Sequence, residues 1–343
     1  MRRLFLTVSS KKVNVGIVGA TGYTGLELVK MLVKHPSFQL NYIANSEGNT
    51  TINALHPSLN GVCEDKVYKA DVKDIVKNCE LVFLALPHKT AMVFVKPLIE
   101  AGLKVVDLSA DYRLPLDIYE EFYTKHTDIE NLEQVVYGLP ELNRKKLQTA
   151  QLVANPGCFP TSAILGLLPF MDYRIENTPI IIDAKTGVSG AGKKLSEVTH
   201  FVNTNDNLFA YNPLVHRHAP EIAQKLGVSF DDVHFVPHLV PVTRGMISSI
   251  YVHVQNLDDA YNVLQEYYKN EKYIRISKNP VDMKNVAGTN FCDIYVQQKG
   301  NLLFISSAID NLMRGASSQA LVNANIMMGY DESLAIPDIA YVP

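Results

Sequence analysis

The stretch VNVGIVGATGYTGLELVKMLVKH (13–35) decides the fold of this 343-residue chain. Its first part, 13–18, is apolar almost throughout, which is typical of a fully buried parallel strand. The part after the glycines repeats apolar residues at the helical period, and a His-Pro pair ends it because proline disfavours a continuing helix. A second strand is predicted over 38–44. Strand, helix and strand within about 30 residues indicate a βαβ unit.

The GATGYTG turn between this strand and helix has the features of a dinucleotide-binding site. Glycine permits the tight turn and lets the backbone approach a pyrophosphate. The helix N-terminus adds free N–H groups and the positive end of its dipole. A glycine pattern in this strand–helix context predicts cofactor binding far better than the pattern alone. The predicted contacts are Gly19, Thr21, Gly22, Tyr23, Thr24 and Gly25.

The residues after the second strand bear on which dinucleotide is bound. An Asp or Glu at the strand tip would hold the ribose hydroxyls of NAD. Here Asn45 and Ser46 stand at the tip, with Glu47 one position later. The absence of an acid at the tip favours NADP, whose 2′-phosphate would bond Ser46, although no Arg or Lys follows nearby. We therefore predict NADP(H), with NAD as the alternative.

The strand–helix rhythm continues through the first half of the chain. Buried strands are predicted within 81–87, 104–110 and 151–157, with a helical segment from 91 to 102. This alternation predicts an α/β fold with a doubly wound, mostly parallel sheet of the Rossmann type.

The pattern changes after position 180. A strand runs into a Gly/Ser-rich loop over 180–192, and the alternating segments 233–240 and 246–255 favour a half-exposed, largely antiparallel sheet. Helical stretches near 213–226 and 257–270 complete a predicted α+β second domain. The last segment, 311–329, is predicted to be a helix with an apolar stripe that packs back on the first domain.

Composition narrows the function classes. The net charge is −3 with no long basic run, so nucleic acid is an unsuitable partner. No apolar stretch approaches the roughly 20 residues that span a bilayer. The start, MRRLFLTVSSKK, has too short an apolar run for a signal peptide and is interpreted as a polar extension. The four cysteines form no CxxC pair, which disfavours zinc or disulfides and predicts a reducing, cytoplasmic setting without a metal site.

Cys158 is the cysteine whose context suggests chemistry. It follows a Pro-Gly turn and precedes a helical apolar pattern in VANPGCFPTSAILGLLP, so its thiol stands at a helix N-terminus. The helix dipole is expected to lower the pKa of such a thiol. A thiolate attacks an acyl carbon and forms a thioester, which a nicotinamide can reduce. A buried structural cysteine is the alternative on position alone.

A thiolate mechanism also calls for acid/base and cationic groups. In LVHRHAPEIAQKL, His216 and His218 flank an arginine, and Glu221 lies in position to orient an imidazole. Histidine pairs of this kind also occur on plain surfaces. Candidate cations for an anionic substrate and a phosphate leaving group are Arg113, Lys185 and Arg244. Each alone is more often a solvated or salt-bridged surface residue.

Together these motifs resemble the N-acetyl-gamma-glutamyl-phosphate reductase family, over about 14–329. The resemblance is carried, in the family's order, by GATGYTGLEL, LPHKT, DLSADYR, YGLPELN, ANPGCFPT, DAKTGVSGAG, HRHAPEI and PHLVPVTRG. It implies NADPH, an acyl phosphate reduced to a semialdehyde in arginine biosynthesis, and a fold similar to that of aspartate-semialdehyde dehydrogenase. It implies a cofactor domain over 13–157 and 311–343, a catalytic and oligomerisation domain over 158–310, and a homodimer or homotetramer.

The resemblance also implies roles for residues. Cys158 is the expected nucleophile and His216 the preferred acid/base, with His218 and Glu221 as the runner-up or as substrate contacts. Backbone N–H groups over 157–159 are expected to hold the oxyanion. Further expected cofactor contacts are Ser46, Pro87, Ser189, Gly190 and Asn311, and further substrate contacts are Arg113, Asn155, Lys185 and Arg244.

Three positions depart from the family pattern. Lys89 stands after LPH where glycine is usual, NSEGNT replaces a segment that commonly carries a basic residue, and Ser162 replaces glycine or alanine. The first two departures bear on cofactor contacts, and none touches the nucleophile. Other substrates also stay open: N-succinyl-glutamyl phosphate, a carrier-bound aminoadipyl phosphate, or aspartyl phosphate, the last disfavoured by HRHAPEI and PHLVPVTRG. A catalytically silent NADP-binding regulator on the same fold is the alternative from another class.

Overall fold

The computed structural model describes residues 11–342. Residues 1–10, which carry most of the predicted polar extension, lie outside that range. No helix among the described residues is long and apolar enough to cross a bilayer.

The first sheet has eight strands in the order β3-β4-β2-β1-β5-β6-β8-β7. Every pairing in it is parallel except β3 with β4. The central strands are buried on both faces, as helices on both sides of a parallel sheet require. The strands are β1 Val13–Val18, β2 Phe38–Asn45, β3 Thr50–Thr51, β4 Lys66–Lys69, β5 Leu81–Leu84, β6 Lys104–Asp107, β7 Val136–Tyr137 and β8 Leu152–Ala154.

Seven helices belong to this part of the chain: α1 Tyr23–Leu32, α2 Ile52–Leu55, α3 Val72–Asn78, α4 Met92–Glu100, α5 Leu116–Phe122, α6 Ile129–Gln134 and α7 Pro140–Leu147. The turn into α1 depends on glycine. Gly19 has φ +98°, and a Cβ there would lie 2.2 Å from the carbonyl oxygen of Ala85. A Cβ on Gly25 would lie 2.6 Å from the Gly19 oxygen. The predicted Rossmann fold is confirmed.

The second sheet has seven strands in the order β10-β11-β9-β12-β15-β14-β13. Four of its pairings are antiparallel and two are parallel, which confirms the prediction of a largely antiparallel sheet. The strands are β9 Ile180–Gly187, β10 Phe209–Ala210, β11 Val233–Val240, β12 Met246–His253, β13 Ile274–Ile276, β14 Cys292–Lys299 and β15 Leu302–Ile309. The remaining helices are α8 Cys158–Leu167, α9 Phe201–Thr204, α10 Ala219–Leu226, α11 Ala260–Tyr268 and α12 Ser318–Met327.

Helix α8 packs on the inner face of this sheet. A Cβ on Gly166 would lie 3.0 Å from Ile250 Cδ1 of β12. The Ser162 hydroxyl is 2.9 Å from the Ser248 hydroxyl and donates to the carbonyl oxygen of Ser307 at 3.0 Å. These partners satisfy a buried polar group, so a serine fits where the family usually has glycine or alanine.

Two helix predictions differ from the structure. The helix expected near 213–226 begins only at Ala219. Leu214 has φ +64°, which is not a right-handed helical conformation, so the segment before Ala219 forms turns instead. The segment 311–329 forms a π-helix over Met313–Ser317 followed by α12. Every residue of α12 is buried, the polar ones included, so the predicted apolar stripe is not set against an exposed face. The segment does pack on the first domain, against α1 and α7.

Candidate active site

Cys158 is the first residue of α8, with Gly157 as its N-cap. The loop from β8 reaches it directly, so the thiol lies at the carboxyl edge of the first sheet. The π-helix passes close behind, and a Cβ on Gly315 would lie 2.7 Å from Cys158 Cβ. Glycine at 315 is therefore required for this approach, which the sequence did not reveal.

The electrostatics of Cys158 differ from the prediction. The N–H groups of Phe159 and Cys158 and the charge of Arg113 act to lower the thiol pKa, as expected at a helix N-terminus. Burial is the larger effect, however, and raises the pKa of Cys158 to about 11. The expectation of a depressed pKa is therefore wrong. The thiol needs a base to become a nucleophile at neutral pH.

This gives a pH prediction. The rate at which iodoacetamide alkylates Cys158 in the free protein should rise continuously from pH 6 to pH 9.5, by up to about tenfold per pH unit, because only the thiolate reacts. Labelled Cys158 is counted by peptide mass spectrometry, with the buried Cys292 as internal control. A plateau reached below pH 8 would contradict the high pKa.

Arg113 and Glu221 clamp the loop before Cys158. Arg113 Nε donates to the Asn155 carbonyl oxygen at 2.7 Å, and Nη2 donates to the Leu108 carbonyl oxygen at 2.8 Å. Arg113 Nη1 pairs with Glu221 Oε2 at 3.4 Å, and both side chains are buried. Such a buried pair is strongly destabilised when one partner is removed. Arg113 thus lies at the site, as predicted, and its guanidinium is held by protein acceptors.

Glu221 does not orient a histidine in this structure. Its Oε1 accepts hydrogen bonds from the Gly157 N–H at 3.0 Å and from the Tyr137 hydroxyl at 2.8 Å. The Gly157 N–H is therefore used by Glu221 and is not free for an oxyanion. Of the three predicted oxyanion donors, the N–H groups of Cys158 and Phe159 remain.

The two histidines lie side by side, with ring centroids 4.9 Å apart. His216 Nδ1 accepts a hydrogen bond from the His218 backbone N–H at 3.2 Å. This bond orients the ring, and because Nδ1 accepts it, the single proton of the neutral imidazole lies on Nε2. His218 Nε2 faces the loop before the cysteine, since a Cβ on Gly157 would lie 2.8 Å from it.

Both imidazoles are neutral at physiological pH. Burial, with the nearby charge of Arg217, lowers the pKa of His216 to about 4. Burial and then His216, Arg113 and Arg217 hold the pKa of His218 well below its usual range. His218 Nδ1 is buried and has no hydrogen-bond partner among the described residues. A neutral imidazole is the form that can accept a proton from the thiol.

The structure adds two residues, Arg217 and His88, that the sequence reasoning did not single out. Arg217 lies over the ring of Tyr123, 5.5 Å from its centroid. His88 accepts a hydrogen bond from the Ala110 N–H at 2.9 Å, and burial with Arg217, Arg113 and Lys89 lowers its pKa to about 3. Each belongs to a motif quoted above, HRHAPEI or LPHKT, so the signal was present in the sequence.

Two predicted substrate contacts, Asn155 and Lys185, bond other residues of the protein. Both side-chain atoms of Asn155 bond the protein, Nδ2 donating to the Ala316 carbonyl oxygen and Oδ1 accepting from Asn323. Lys185 forms an ion pair with Asp183 at 2.6 Å. Along β9 fully buried residues alternate with more exposed ones, and Lys185 is one of the more exposed, so it lies on the face of β9 that points away from α8. The position of neither residue supports substrate contact.

Arg244 joins the two domains. Its Nη2 lies 2.8 Å from Glu27 Oε1 on α1, and its Nε lies 3.4 Å from Asp310 Oδ2. These partners neutralise the guanidinium, so its predicted contact with substrate is likewise not supported by its position.

Two of the expected cofactor contacts border a cleft of about 700 Å³ between α1 and the segment after β9. Tyr23 and Ser189 line it, and Asn311 Nδ2 donates to the Ser189 hydroxyl at 3.0 Å. Gly190 directly follows Ser189, and Pro87 lies in the exposed loop after β5. The close-packed Gly19 and Gly25 leave the backbone bare at the N-terminus of α1, which suits a pyrophosphate.

The tip of β2 is organised by Asn45. Its Nδ2 donates to the Thr21 hydroxyl at 3.1 Å, and its Oδ1 accepts from the Gly48 N–H at 2.6 Å. Ser46 next to it is exposed. Parallel pairing sets Lys69, the last residue of β4, beside Asn45. A basic residue therefore does stand near Ser46, from the neighbouring strand rather than from the following loop.

Comparison with known proteins agrees with this geometry. The family described as semialdehyde dehydrogenase, NAD binding domain, matches 14–150, and that described as semialdehyde dehydrogenase, dimerisation domain, matches 158–311. The structure is similar to aspartate semialdehyde dehydrogenase II from Vibrio cholerae, with TM-score 0.70 and 17% identity over 93% of this chain and 99% of that chain. An aspartate semialdehyde dehydrogenase with NADP from Candida albicans matches with TM-score 0.66 and 15% identity, over 93% and 99%. These similarities establish the fold.

Three relatives carry one name, N-acetyl-gamma-glutamyl-phosphate reductase. The protein of Sulfurimonas denitrificans is 72% identical over 96% of this chain and 99% of its own. Those of Sulfurovum sp. and Wolinella succinogenes are 58% and 54% identical, over 96% and 97% of this chain and the whole of theirs. The chain therefore belongs to the N-acetyl-gamma-glutamyl-phosphate reductase family of semialdehyde dehydrogenases.

Proposed function

We propose that this protein is an oxidoreductase that uses NADPH to reduce N-acetyl-gamma-glutamyl phosphate to N-acetyl-glutamate 5-semialdehyde and phosphate, a step of arginine biosynthesis. The observation that carries the proposal is Cys158 at the start of α8, beside two neutral histidines and Arg113. Relatives of up to 72% identity with that name support the choice of substrate.

The nucleophile is Cys158 and the base is His216. Because Nδ1 of the neutral ring accepts the His218 N–H, Nε2 carries the ring proton; His216 therefore takes the thiol proton at Nε2 once its own proton has moved to Nδ1 and that bond is broken. The thiolate attacks the acyl carbon, and the N–H groups of Cys158 and Phe159 stabilise the oxyanion. Phosphate leaves, and a thioester on Cys158 remains.

NADPH, when bound in the cleft beside α1, supplies the hydride that reduces this thioester. The bare Gly19–Gly25 turn fits its pyrophosphate, and Ser46 with Lys69 fits a 2′-phosphate. His216 then returns its proton to the departing sulfur, which regenerates the thiol as the aldehyde leaves. No group of three or more metal-ligating side chains occurs among residues 11–342, so we assign no metal role.

The reverse reaction tests this function. The protein is mixed with NADP, inorganic phosphate and N-acetyl-glutamate semialdehyde, and absorbance at 340 nm is followed. We expect phosphate-dependent formation of NADPH, with lower kcat/KM for the N-succinyl analogue and for aspartate or aminoadipate semialdehyde. A preference for another semialdehyde would reassign the substrate. No reaction with any of them would favour a regulator that binds NADP without catalysis.

We also propose the domain division 13–157 with 311–343 and 158–310, because each part contains one complete sheet. A homodimer or homotetramer is proposed on the description of the second family as a dimerisation domain, and a cytoplasmic setting on the four free cysteines. Exposed Ile181 and Tyr251 on the outer face of the second sheet support assembly there. Light scattering after gel filtration measures the mass, and a monomer at micromolar concentration would contradict this part.

A further inference from the structure

Lys89 has a backbone conformation that lysine seldom adopts. Its φ is +73°, in the left-handed region that favours glycine. Of the eight non-glycine residues with positive φ among 11–342, five are Asn or Asp, which tolerate this region. The family usually has glycine at this position. A lysine kept here at a conformational cost points to a use for its side chain.

The loop that carries Lys89 lies between the cofactor turn and the Cys158 site. On one side it touches the glycine turn, since the Ala85 oxygen lies 2.2 Å from a Cβ built on Gly19. On the other side the Lys89 N–H donates to Asp111 Oδ1 at 2.7 Å. Asp111 is two residues from Arg113, so this hydrogen bond holds the Lys89 loop beside the Arg113–Glu221 pair that holds the loop before Cys158.

The carboxylates near Lys89 already have hydrogen-bond or ion-pair partners. Asp111 Oδ2 accepts from the Ala91 N–H at 3.0 Å, and its Oδ1 also accepts from the Tyr119 hydroxyl at 2.8 Å. Glu221 faces Arg113. Within the described part of the chain neither Lys89 nor Arg217 forms a salt bridge, and Lys89 is exposed. Two cations without a protein counter-ion thus stand at the mouth of a site for a highly anionic substrate.

We infer that Lys89 binds a phosphate group in the catalytic cleft, an assignment that rests on the acyl-phosphate chemistry proposed above. Two phosphates meet there, that of the acyl phosphate and the pyrophosphate of the dinucleotide. Both present the same oxygens to an ammonium group. The position beside Asp111 and His88 favours the substrate phosphate.

The test compares Lys89→Gly, Lys89→Asn and Lys89→Arg with the wild type in the reverse reaction. Glycine adopts the positive φ at position 89 without strain, and asparagine tolerates it; both remove the charge. Arginine keeps both the backbone strain and the positive charge. Lys77→Gln on α3, an exposed lysine outside the cleft, controls for net charge. The KM for inorganic phosphate and, separately, the Kd for NADP by calorimetry are measured.

We expect the Gly and Asn variants to raise the KM for phosphate about tenfold, the loss of one charge-assisted bond, at nearly unchanged kcat. Arg should stay near the wild type, and the melting temperature of the Gly variant should not fall. An increase in the Kd for NADP instead would assign Lys89 to the pyrophosphate. Neither constant moving, with an active wild type, would overturn the inference. An inactive wild type would reject the proposed function instead.

Discussion

Replacing Cys158 by serine is expected to lower reductase kcat by at least about a thousandfold and to leave NADPH binding within about twofold of the wild type. A serine hydroxyl at this buried position is far harder to deprotonate than a thiol. The thiol itself already has its pKa raised to about 11 by burial. The thioester route is then closed, whereas the glycine turn at α1 is untouched. Steady-state rates and fluorescence titration with NADPH measure the two quantities.

Cys63→Ala serves as the matched control for this variant. Cys63 is also a free thiol, but it is buried beside Asp65 in the core around the first sheet, not at a helix start in the cleft. Its loss should change kcat by less than about twofold, at a modest cost in stability. Near-normal activity of Cys158→Ser would show that no covalent intermediate is needed. Loss of NADPH binding as well would show a folding defect instead.

Local signals predicted the parts of the site that are built from consecutive residues. The GATGYTG turn and the Cys158 helix start are each encoded within about ten residues, so periodicity and glycine spacing located them. The clamp on the cysteine loop could not be found this way. Glu221 lies 64 positions from Gly157 and 108 from Arg113. Spacing along the sequence carries no information about such contacts.

Two wrong predictions, the lowered pKa of Cys158 and the lack of a basic residue near Ser46, have a common origin. The thiol pKa was predicted from a helix dipole, which is local, whereas burial by the π-helix at 313–317 and the histidine segment decides its direction. Similarly, Lys69 was overlooked near Ser46 because it comes from the neighbouring strand, and only the register of β2 with β4 brings it there. Arg244 and Lys185 are conspicuous in the sequence, yet acids supplied by the fold neutralise them.

His216→Asn is expected to lower kcat by about a hundredfold to ten-thousandfold, the usual contribution of a general acid/base. Asparagine can still accept the His218 N–H that bonds Nδ1, but it has no atom in place of Nε2. Because the pKa of His216 is lowered to about 4, the wild type should lose activity as pH falls through about 4 to 5, when this base becomes protonated. The variant should lack this loss of activity at low pH, which the pH profile of kcat/KM measures because it reports the free enzyme.

His218→Asn is the matched variant that separates the two histidines. His218 Nε2 faces Gly157, and its buried Nδ1 has no hydrogen-bond partner within residues 11–342, a geometry suited to contacting substrate. This variant should therefore raise the KM for semialdehyde or phosphate more than it lowers kcat. If it instead lowers kcat and abolishes the loss of activity at low pH while His216→Asn does neither, the roles are exchanged.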